Sequence, residues 1–312
     1  MLTAVLAAAA WQLVPGTWSP PSGPNGNTVL LDAPAGLIVV DTGRHFAHQE
    51  AILAAARARG RPIAAIVNTH WHLDQTGGNA ELRAAFPGIP IVSSNAVDGA
   101  LDGFFKRSRE AAEAHIASGK APPAQVAEIR RDMVAMDDLA NLRPTQVVAK
   151  SGSLTIAGRR LNVHLERYAA TAGDVWLFDR RERVAIVGDL VVGLVPFMDT
   201  ACPEGWRKAL GLIAAVPFRT LIPGHGANMT RVQFIRWRSA FEALLDCAAG
   251  SSPKQACIDS WMGDAAPFIA PGTERAYLAW SVITSTPACA RRRWSGRAIA
   301  TVGRAEPACQ LR

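Results

Sequence analysis

Residues 68–79 read NTHWHLDQTGGN and directly follow an apolar run, residues 62–67. The run has the length and composition of a buried strand that is bounded by turn-forming residues. Alternate side chains of an extended segment point the same way, so His70, His72 and Asp74 can converge on one point beyond the strand. Imidazole and carboxylate groups that converge in this way are typical metal ligands. The stretch therefore predicts a metal site on the rim of a sheet.

Two later strands also end in a polar group. Residues 184–189 read VAIVGD and residues 221–226 read LIPGHG, so Asp189 and His225 each lie at the end of an apolar run. A carboxylate is costly beside so apolar a strand unless it has a partner, and a metal ion is a good partner. Both residues are therefore candidates for a metal site.

The order of these three segments resembles the signature of the metallo-β-lactamase fold superfamily, and the resemblance covers most of the chain. It implies an α/β fold, a four-layer αββα sandwich of two similar halves, with metal ions at the edge where both sheets end. It implies that the metal ligands are His70, His72, Asp74, Asp189 and His225. The pattern also predicts a helical insertion at residues 96–142 and C-terminal helices that begin with residues 231–245.

Residues 41–43, Asp-Thr-Gly, close another predicted strand. The resemblance implies that Asp41 orients a ligand loop, and an Asx turn that ends the strand is the alternative. His45 and His48 follow in the first turn of a predicted helix. We interpret them as solvated polar residues rather than as ligands.

Two imidazoles of the family pattern are missing. Gln75 stands where one further His ligand is expected, and Ala170 stands where another is expected. The remaining ligands would form two sets that share Asp189, one with His70 and His72 and the other with Asp74 and His225. Zinc can use three protein ligands and a water, so one or two zinc ions are expected, and one is favoured. Gln75 would be a weak ligand, and His164 and Glu166 are candidates to replace the group lost at Ala170.

The resemblance also implies a metal-dependent hydrolase. Zinc lowers the pKa of its bound water towards about 7, which supplies hydroxide at neutral pH, and it polarises a carbonyl group. Asp74 would be the catalytic residue that orients this hydroxide or accepts its proton. A lactam, lactone, ester or thioester would be the substrate. The alternative is a catalytically degenerate member that binds a ligand or a partner, because drift after loss of catalysis would remove imidazoles in this way.

Aromatic residues are the candidates for a pocket wall. Trp71 is the first of them, since it lies inside the ligand motif. Four others could line the pocket or pack in the core: Phe104, Phe105, Phe197 and Trp206.

The formal net charge of +7 is concentrated at the C-terminus. Residues 289–312 carry six Arg and one Glu, which leaves a net of only +2 for the rest of the chain. No basic groove for a nucleic acid is implied, so a small molecule is the expected partner, and the oligomeric state stays open. We expect the basic tail, residues 287–312, to be disordered.

The N-terminal residues 2–10 form an apolar stretch that ends in small residues. A signal peptide over residues 1–10 is favoured over an N-terminal helix, although no Lys or Arg precedes the stretch. It is too short to span a membrane. We therefore expect a periplasmic or secreted protein, with the cytoplasm as the alternative, and a metallo-β-lactamase-like domain over residues 11–286.

The five cysteines favour an oxidising compartment. Cys247 and Cys257 lie on either side of a turn between two predicted helices, where they form either a disulfide or two buried thiols. Cys289 and Cys309 could pair with each other. Cys202 would then be left over, as a pocket residue or a metal ligand.

Overall fold

The computed structural model describes residues 10–19, 23–194 and 196–269. The first half contains β1 (Trp11–Val14), β2 (Trp18–Ser19), β3 (Gly23–Pro24), β4 (Thr28–Ala33), β5 (Gly36–Val40), α1 (Phe46–Ala58), β6 (Ile63–Val67), α2 (Leu73–Thr76), α3 (Asn79–Ala85) and β7 (Ile91–Ser93). A helical segment follows, with α4 (Val97–Ala100), a π-helical turn (Leu101–Phe105), α5 (Lys106–Ala117), α6 (Pro123–Asp137) and α7 (Leu139–Leu142). The chain continues with β8 (Gln146–Val147), β9 (Gly152–Ile156), β10 (Arg159–Glu166), β11 (Asp174–Asp179), β12 (Val184–Val192), α8 (Pro203–Ala215), β13 (Thr220–His225), β14 (Met229–Thr230), α9 (Arg231–Ala249) and α10 (Lys254–Ala265).

The described strands form two six-stranded sheets, in the orders β1-β4-β5-β6-β7-β8 and β14-β13-β12-β11-β10-β9. In the first sheet β5, β6, β7 and β8 are parallel. In the second sheet β12 and β13 are parallel, and the other pairs are antiparallel. The carboxyl ends of parallel strands meet at one edge, which is where ligands bind in sheets of this kind.

Apolar side chains on both faces of the central strands explain the layers. Every residue of β5 and of β12 is buried, as expected of strands that are covered on both sides. One core lies between the sheets and includes Ile38 and Ile186. Helices α1 and α3 cover the outer face of the first sheet around Ile52, and α8, α9 and α10 cover the second around Trp237. The predicted four-layer αββα sandwich is therefore confirmed.

The short strands β1, β2 and β3 were not predicted. β1 pairs antiparallel with β4, so that Trp11 lies opposite Leu31 at the edge of the first sheet. The predicted signal peptide lies, apart from its last residue, outside the described residues, as do the C-terminal tail, Cys289 and Cys309. Within the described ranges, no helix is both long enough and apolar enough to cross a membrane.

Candidate metal centre

The predicted ligands lie at the strand ends of both sheets. His70 follows β6, His72 directly precedes α2, and Asp74 lies in the first turn of that helix. His225 is the last residue of β13, as predicted, but the prediction that Asp189 ends its strand is wrong, because β12 continues to Val192 after an irregularity at Gly188. Their ligand atoms form two groups in which all atoms lie within 4.8 Å of one another: His70, His72 and Asp189, and Asp74, Asp189 and His225. The five residues span about 155 positions of the sequence, and the fold brings their ligand atoms together in two groups that share Asp189.

In the first group the two imidazoles face each other. His70 Nε2 lies 3.0 Å from His72 Nδ1 and 3.6 Å from Asp189 Oδ2. Two nitrogen ligands about 2.0–2.1 Å from a tetrahedral zinc ion lie about 3.3 Å from each other. The observed spacing of the two nitrogens is close to that value.

A hydroxyl group fixes the proton of His70. Asp41 accepts hydrogen bonds from the backbone N of Thr69 at 2.7 Å and from Thr69 Oγ1 at 2.8 Å. With Asp41 ionised, Thr69 gives its only hydroxyl proton to that carboxylate, so it accepts from His70 Nδ1, which is 3.1 Å away. When Asp41 is ionised and His70 is neutral, the lone pair of His70 is on Nε2 and points into the site. This geometry gives Asp41 the orienting role that the resemblance implied.

A second hydroxyl group fixes the proton of His72 in the same way. Thr200 donates its hydroxyl proton to the carbonyl oxygen of Ala170 at 2.9 Å, so it accepts from His72 Nε2 at 3.3 Å. The lone pair of His72 is then on Nδ1, which faces the lone pair of His70. With both rings in these tautomers, the two lone pairs face one point beside Asp189, as the lone pairs of two ligands to one metal ion do, so the donor set fits a metal ion. Sequence reasoning missed Thr200, which lies 128 residues from His72 in the chain.

Two glycines allow this close packing. Gly188 has a φ of +52°, and a Cβ added there would lie 2.4 Å from Thr69 Oγ1. A Cβ on Gly224 would lie 2.0 Å from Asp189 Oδ1. Both distances are too short for a side chain, so the Gly-Asp and Pro-Gly-His segments need these glycines to present their ligands.

The second group contains an ion pair and an amide. His225 Nε2 lies 2.9 Å from Asp74 Oδ2 and 3.4 Å from Asp189 Oδ1. Gln75 is buried, and its Nε2 donates to Asp189 Oδ1 at 3.1 Å and lies 3.3 Å from His225 Nε2. Among the described residues, Gln75 Oε1 has no hydrogen-bond partner. Because an amide binds zinc less well than an imidazole whichever of its two atoms faces the group, the second set is the weaker candidate metal site.

Burial and the ion pairs shift several pKa values. Burial by itself raises the pKa of Asp74 and of Asp189, but His225 outweighs it and holds both pKa values below their usual range. Burial likewise lowers the pKa of His225, but the two carboxylates outweigh it and raise that pKa to about 10. Burial lowers the pKa of His72 to about 4 and raises the pKa of Asp41 to about 7. In the metal-free protein a proton is therefore shared between His225 and the carboxylates, and His72 is neutral and able to bind a cation.

Neither candidate replacement for the ligand lost at Ala170 reaches the centre. His164 stacks on Trp176, with ring centroids 3.8 Å apart and an interplanar angle of 9°. Glu166 accepts a hydrogen bond from Trp176 Nε1 at 3.3 Å. Both side chains thus pack with Trp176, which belongs to the core under α8 and α9. The buried Ala170 contributes only its carbonyl oxygen, through Thr200.

The interpretation of His48 as a solvated residue is wrong. His48 is buried, and its Nε2 lies 2.8 Å from Thr28 Oγ1, because the ring fills the space beside Gly43. His45 is partly buried and pairs with Glu128 Oε2 at 3.4 Å. Both contacts are structural, so neither imidazole lies in the two ligand groups.

The structure settles two of the alternatives for the cysteines. Cys247 and Cys257 form a disulfide between α9 and α10. Cys202 is disulfide-bonded as well, so the expectations that it is left over, or that it binds a metal as a thiolate, are wrong.

A cavity of about 320 Å³ opens above the ligands. His72, Asp74, Asp189 and His225 lie in its floor, and residues of α5 and α6 form its roof. Three of the aromatic residues that were expected either to line the pocket or to pack in the core line the cavity, namely Phe104, Phe105 and Phe197. Trp71 packs behind this wall, with its ring 5.3 Å from Phe105 and 4.4 Å from His72, and Trp206 is buried in the core.

The comparisons with known proteins agree with this geometry. The family model of the metallo-beta-lactamase superfamily matches residues 22–225, which is more than half of the chain. The chain therefore belongs to the metallo-beta-lactamase superfamily. Among solved structures, a metallo-beta-lactamase from Pontibacter korlensis is 17% identical with a TM-score of 0.55, and the match covers 75% of this chain and 96% of that chain. A metallo-beta-lactamase family protein from Thermus thermophilus is 17% identical with a TM-score of 0.54, over 87% and 94% of the two chains. Likenesses at this identity show the fold.

Curated relatives are similar over a shorter stretch. A hydroxyacylglutathione hydrolase from Synechococcus is 48% identical over 52 residues, which are 17% of this chain and 20% of the relative. An atrochrysone carboxyl ACP thioesterase from Aspergillus fumigatus is 37% identical over 62 residues, 20% of each chain. The chain thus spans about a fifth of the length of these relatives. Superfamily membership and the names of these relatives support the prediction of a metallo-hydrolase.

Proposed function

We propose that this protein is a zinc-dependent hydrolase that attacks a carbonyl substrate, and that thioesters are the first class to test. The observation that carries the proposal is the facing pair of imidazole nitrogens, His70 Nε2 and His72 Nδ1, which lie 3.0 Å apart beside Asp189. The two curated relatives, whose names describe hydrolysis of thioesters, support the choice of substrate class. Lactones, esters and lactams follow in the order of testing.

One zinc ion per chain is proposed, held by His70, His72 and Asp189. This set fits zinc, because a catalytic zinc site has three protein ligands and one open position. When bound, zinc lowers the pKa of water and polarises a carbonyl oxygen, which is the chemistry that hydrolysis of a carbonyl compound needs. The second set would hold a metal only weakly, since Gln75 supplies an amide where an imidazole would bind.

Asp74 is the proposed catalytic residue. Its carboxylate is held ionised by His225 at 2.9 Å, and it lies in the floor of the cavity. An ionised carboxylate at this position can orient a water molecule and accept its proton. His225, which is paired with both Asp74 and Asp189, would keep the proton near the site for transfer to the leaving group.

The test is the metal content of the full chain, purified without added metal or chelator and measured by inductively coupled plasma mass spectrometry. We expect one zinc ion per chain, about zero in His70→Ala, and two in Gln75→His, because this change restores an imidazole to the second set. Thioester hydrolysis is then followed by the release of free thiol. No zinc after zinc is offered would overturn the proposal and favour the degenerate binding protein.

A periplasmic or secreted location is part of the proposal. The disulfide between Cys247 and Cys257, and the disulfide of Cys202, support it, because disulfides persist in oxidising compartments. Fractionation of the cells that make the protein would test it, and reduced thiols in the native protein would contradict it.

A further inference from the structure

The roof of the cavity is attached to the body of the protein by a buried ion pair. Arg44 lies just before α1, and Asp132 lies on α6, 88 residues away. Arg44 Nε donates to Asp132 Oδ1 at 2.8 Å, and Arg44 Nη2 donates to Asp132 Oδ2. The two parallel bonds form a bidentate pair, which is the strongest geometry for a guanidinium and a carboxylate. Only 10% of the Asp132 side chain is exposed.

The pair of Arg44 and Asp132 determines the net charge of the cavity wall, if the candidate metal ligands are left aside. Arg44 and Asp132 both line the cavity, and among the described residues they are the charged groups of its wall apart from the ligands. Since each neutralises the other, the wall carries no net charge. A carboxylate on a substrate would have to compete with Asp132 for Arg44 and to approach Asp132 itself, and burial makes both costly.

Apart from Ser108, the other described residues of the wall are apolar. They include Leu73, Phe104, Met136 and Phe197. Phe104 and Phe197 are 6.0 Å apart, and their rings lie 5.7 Å and 5.4 Å from the ring of His72. The two phenylalanine rings contact each other edge to face, and an apolar group bound against them would place an attached carbonyl beside the ligands. A volume of about 320 Å³ is at the small end of small-molecule sites.

We propose that this cavity binds the acyl part of a neutral, apolar substrate, and that Asp132 is a specificity residue, because its pairing with Arg44 excludes substrates with a distal carboxylate. The proposal names the substrate class of the hydrolase proposed above and so rests on that function. Binding can nevertheless be measured without turnover, so the two ideas fail separately.

The test uses ketones, which cannot be hydrolysed, and measures their binding to the zinc-loaded protein by calorimetry. A series of 2-hexanone, 2-octanone and 2-decanone probes the apolar wall, and 7-oxooctanoate adds a distal carboxylate to the eight-carbon chain. We expect affinity to rise about three- to four-fold per methylene until the cavity is full. We expect 7-oxooctanoate to bind at least ten-fold more weakly than 2-octanone.

The variant Asp132→Asn leaves Arg44 without its carboxylate partner. It should bind 7-oxooctanoate at least ten-fold more tightly than the native protein does, with 2-octanone changed less than two-fold. The matched control is Asp137→Asn, at the end of α6, which removes the same charge by the same change from an exposed residue outside the cavity wall and should change the binding of neither ligand. If Asp132→Asn does not fold, the double variant Arg44→Gln with Asp132→Asn is used. It should discriminate less between 2-octanone and 7-oxooctanoate than the native protein does, and unchanged discrimination would overturn the role of the pair.

The outcomes separate the two proposals. Equal binding of 2-octanone and 7-oxooctanoate, or no dependence on chain length, overturns the apolar acyl pocket even if thioesters are hydrolysed. An equal gain for 7-oxooctanoate in Asp132→Asn and Asp137→Asn overturns the role of Asp132 and indicates net charge instead. The expected binding pattern without hydrolysis of any thioester supports the pocket and counts against the hydrolase.

Discussion

Replacing Thr200 by valine should weaken zinc binding while leaving every proposed ligand in place. The hydroxyl of Thr200 accepts from His72 Nε2 at 3.3 Å and donates to the carbonyl oxygen of Ala170 at 2.9 Å. Valine has nearly the same shape but no hydroxyl. The proton of His72 is then free to move to Nδ1, which removes the lone pair that would bind the metal.

The size of the effect follows from the geometry. Loss of a hydrogen-bond partner behind a metal-bound histidine typically costs 10- to 100-fold in metal affinity, about 1.4 to 2.8 kcal/mol. The bond from His72 is at the long end for a hydrogen bond, so its own loss should lie near the lower figure. The carbonyl of Ala170 also loses its donor, which adds a stability cost of roughly 1 kcal/mol. We therefore expect a loss of about ten- to thirty-fold in zinc affinity.

The assay is a competition titration of zinc between the protein and a chelating indicator of known affinity. The matched control is Thr200→Ser, which keeps the hydroxyl and should bind zinc within about three-fold of the native protein. Nitrogen-15 spectra of the metal-free protein should show His72 protonated on Nε2 in the native chain and in Thr200→Ser, but not in Thr200→Val. Native zinc affinity in Thr200→Val would refute the reasoning. An equal loss in both variants would show that packing, and not the hydroxyl, matters.

Three further changes have defined outcomes. Burial lowers the pKa of His48 to about 4 in the folded protein. On acidification the imidazole of His48 is therefore protonated in the unfolded chain before it is protonated in the folded one. The free energy of unfolding should fall by roughly 3 kcal/mol between pH 6.5 and 4 for this reason. Denaturation of His48→Gln by guanidinium chloride should show a shallower decrease over this range, and an equal decrease would contradict the assignment. Replacing Cys247 and Cys257 by serine removes a loop closure over a sequence separation of 10, which should lower the free energy of unfolding by about 2–3 kcal/mol without changing zinc content. Gly224→Ala would place a Cβ 2.0 Å from Asp189 Oδ1, so metal analysis should find less than half the native zinc in a protein that still melts cooperatively.

The candidate ligands could be predicted from the sequence because each lies in an apolar strand or shortly after one. His70, His72 and Asp189 are marked by local signals, namely the alternation after β6 and the Gly-Asp step in β12. The sheet order then brings these strand ends to one edge, as the four-layer sandwich requires. Local patterns sufficed here because a strand end has a fixed position in a sheet.

Residues that act through long-range contacts could not be predicted in this way. Nothing local marks Thr200 as the partner of His72, since a threonine in a loop is ordinary and its role depends on how two distant segments pack. The pairing of Arg44 with Asp132 likewise depends on the angle of α6 over the cavity. The burial of His48 was missed for a local reason: an Ala-rich helix gives only a weak indication of which of its faces is buried.

The way the site compensates for its two missing imidazoles argues against a decayed centre. A site that had drifted after losing its metal would have no need to control the protons of His70 and His72. Instead each ring has a hydroxyl partner on the nitrogen that faces away from the other ring, and one of these partners, Thr200, is anchored on the carbonyl of Ala170, where a ligand was lost. The second set differs, because the buried Oε1 of Gln75 has no hydrogen-bond partner among the described residues. The two halves of the centre have therefore diverged: one is arranged to hold a cation, and the other keeps Asp74 ionised beside it through the ion pair with His225.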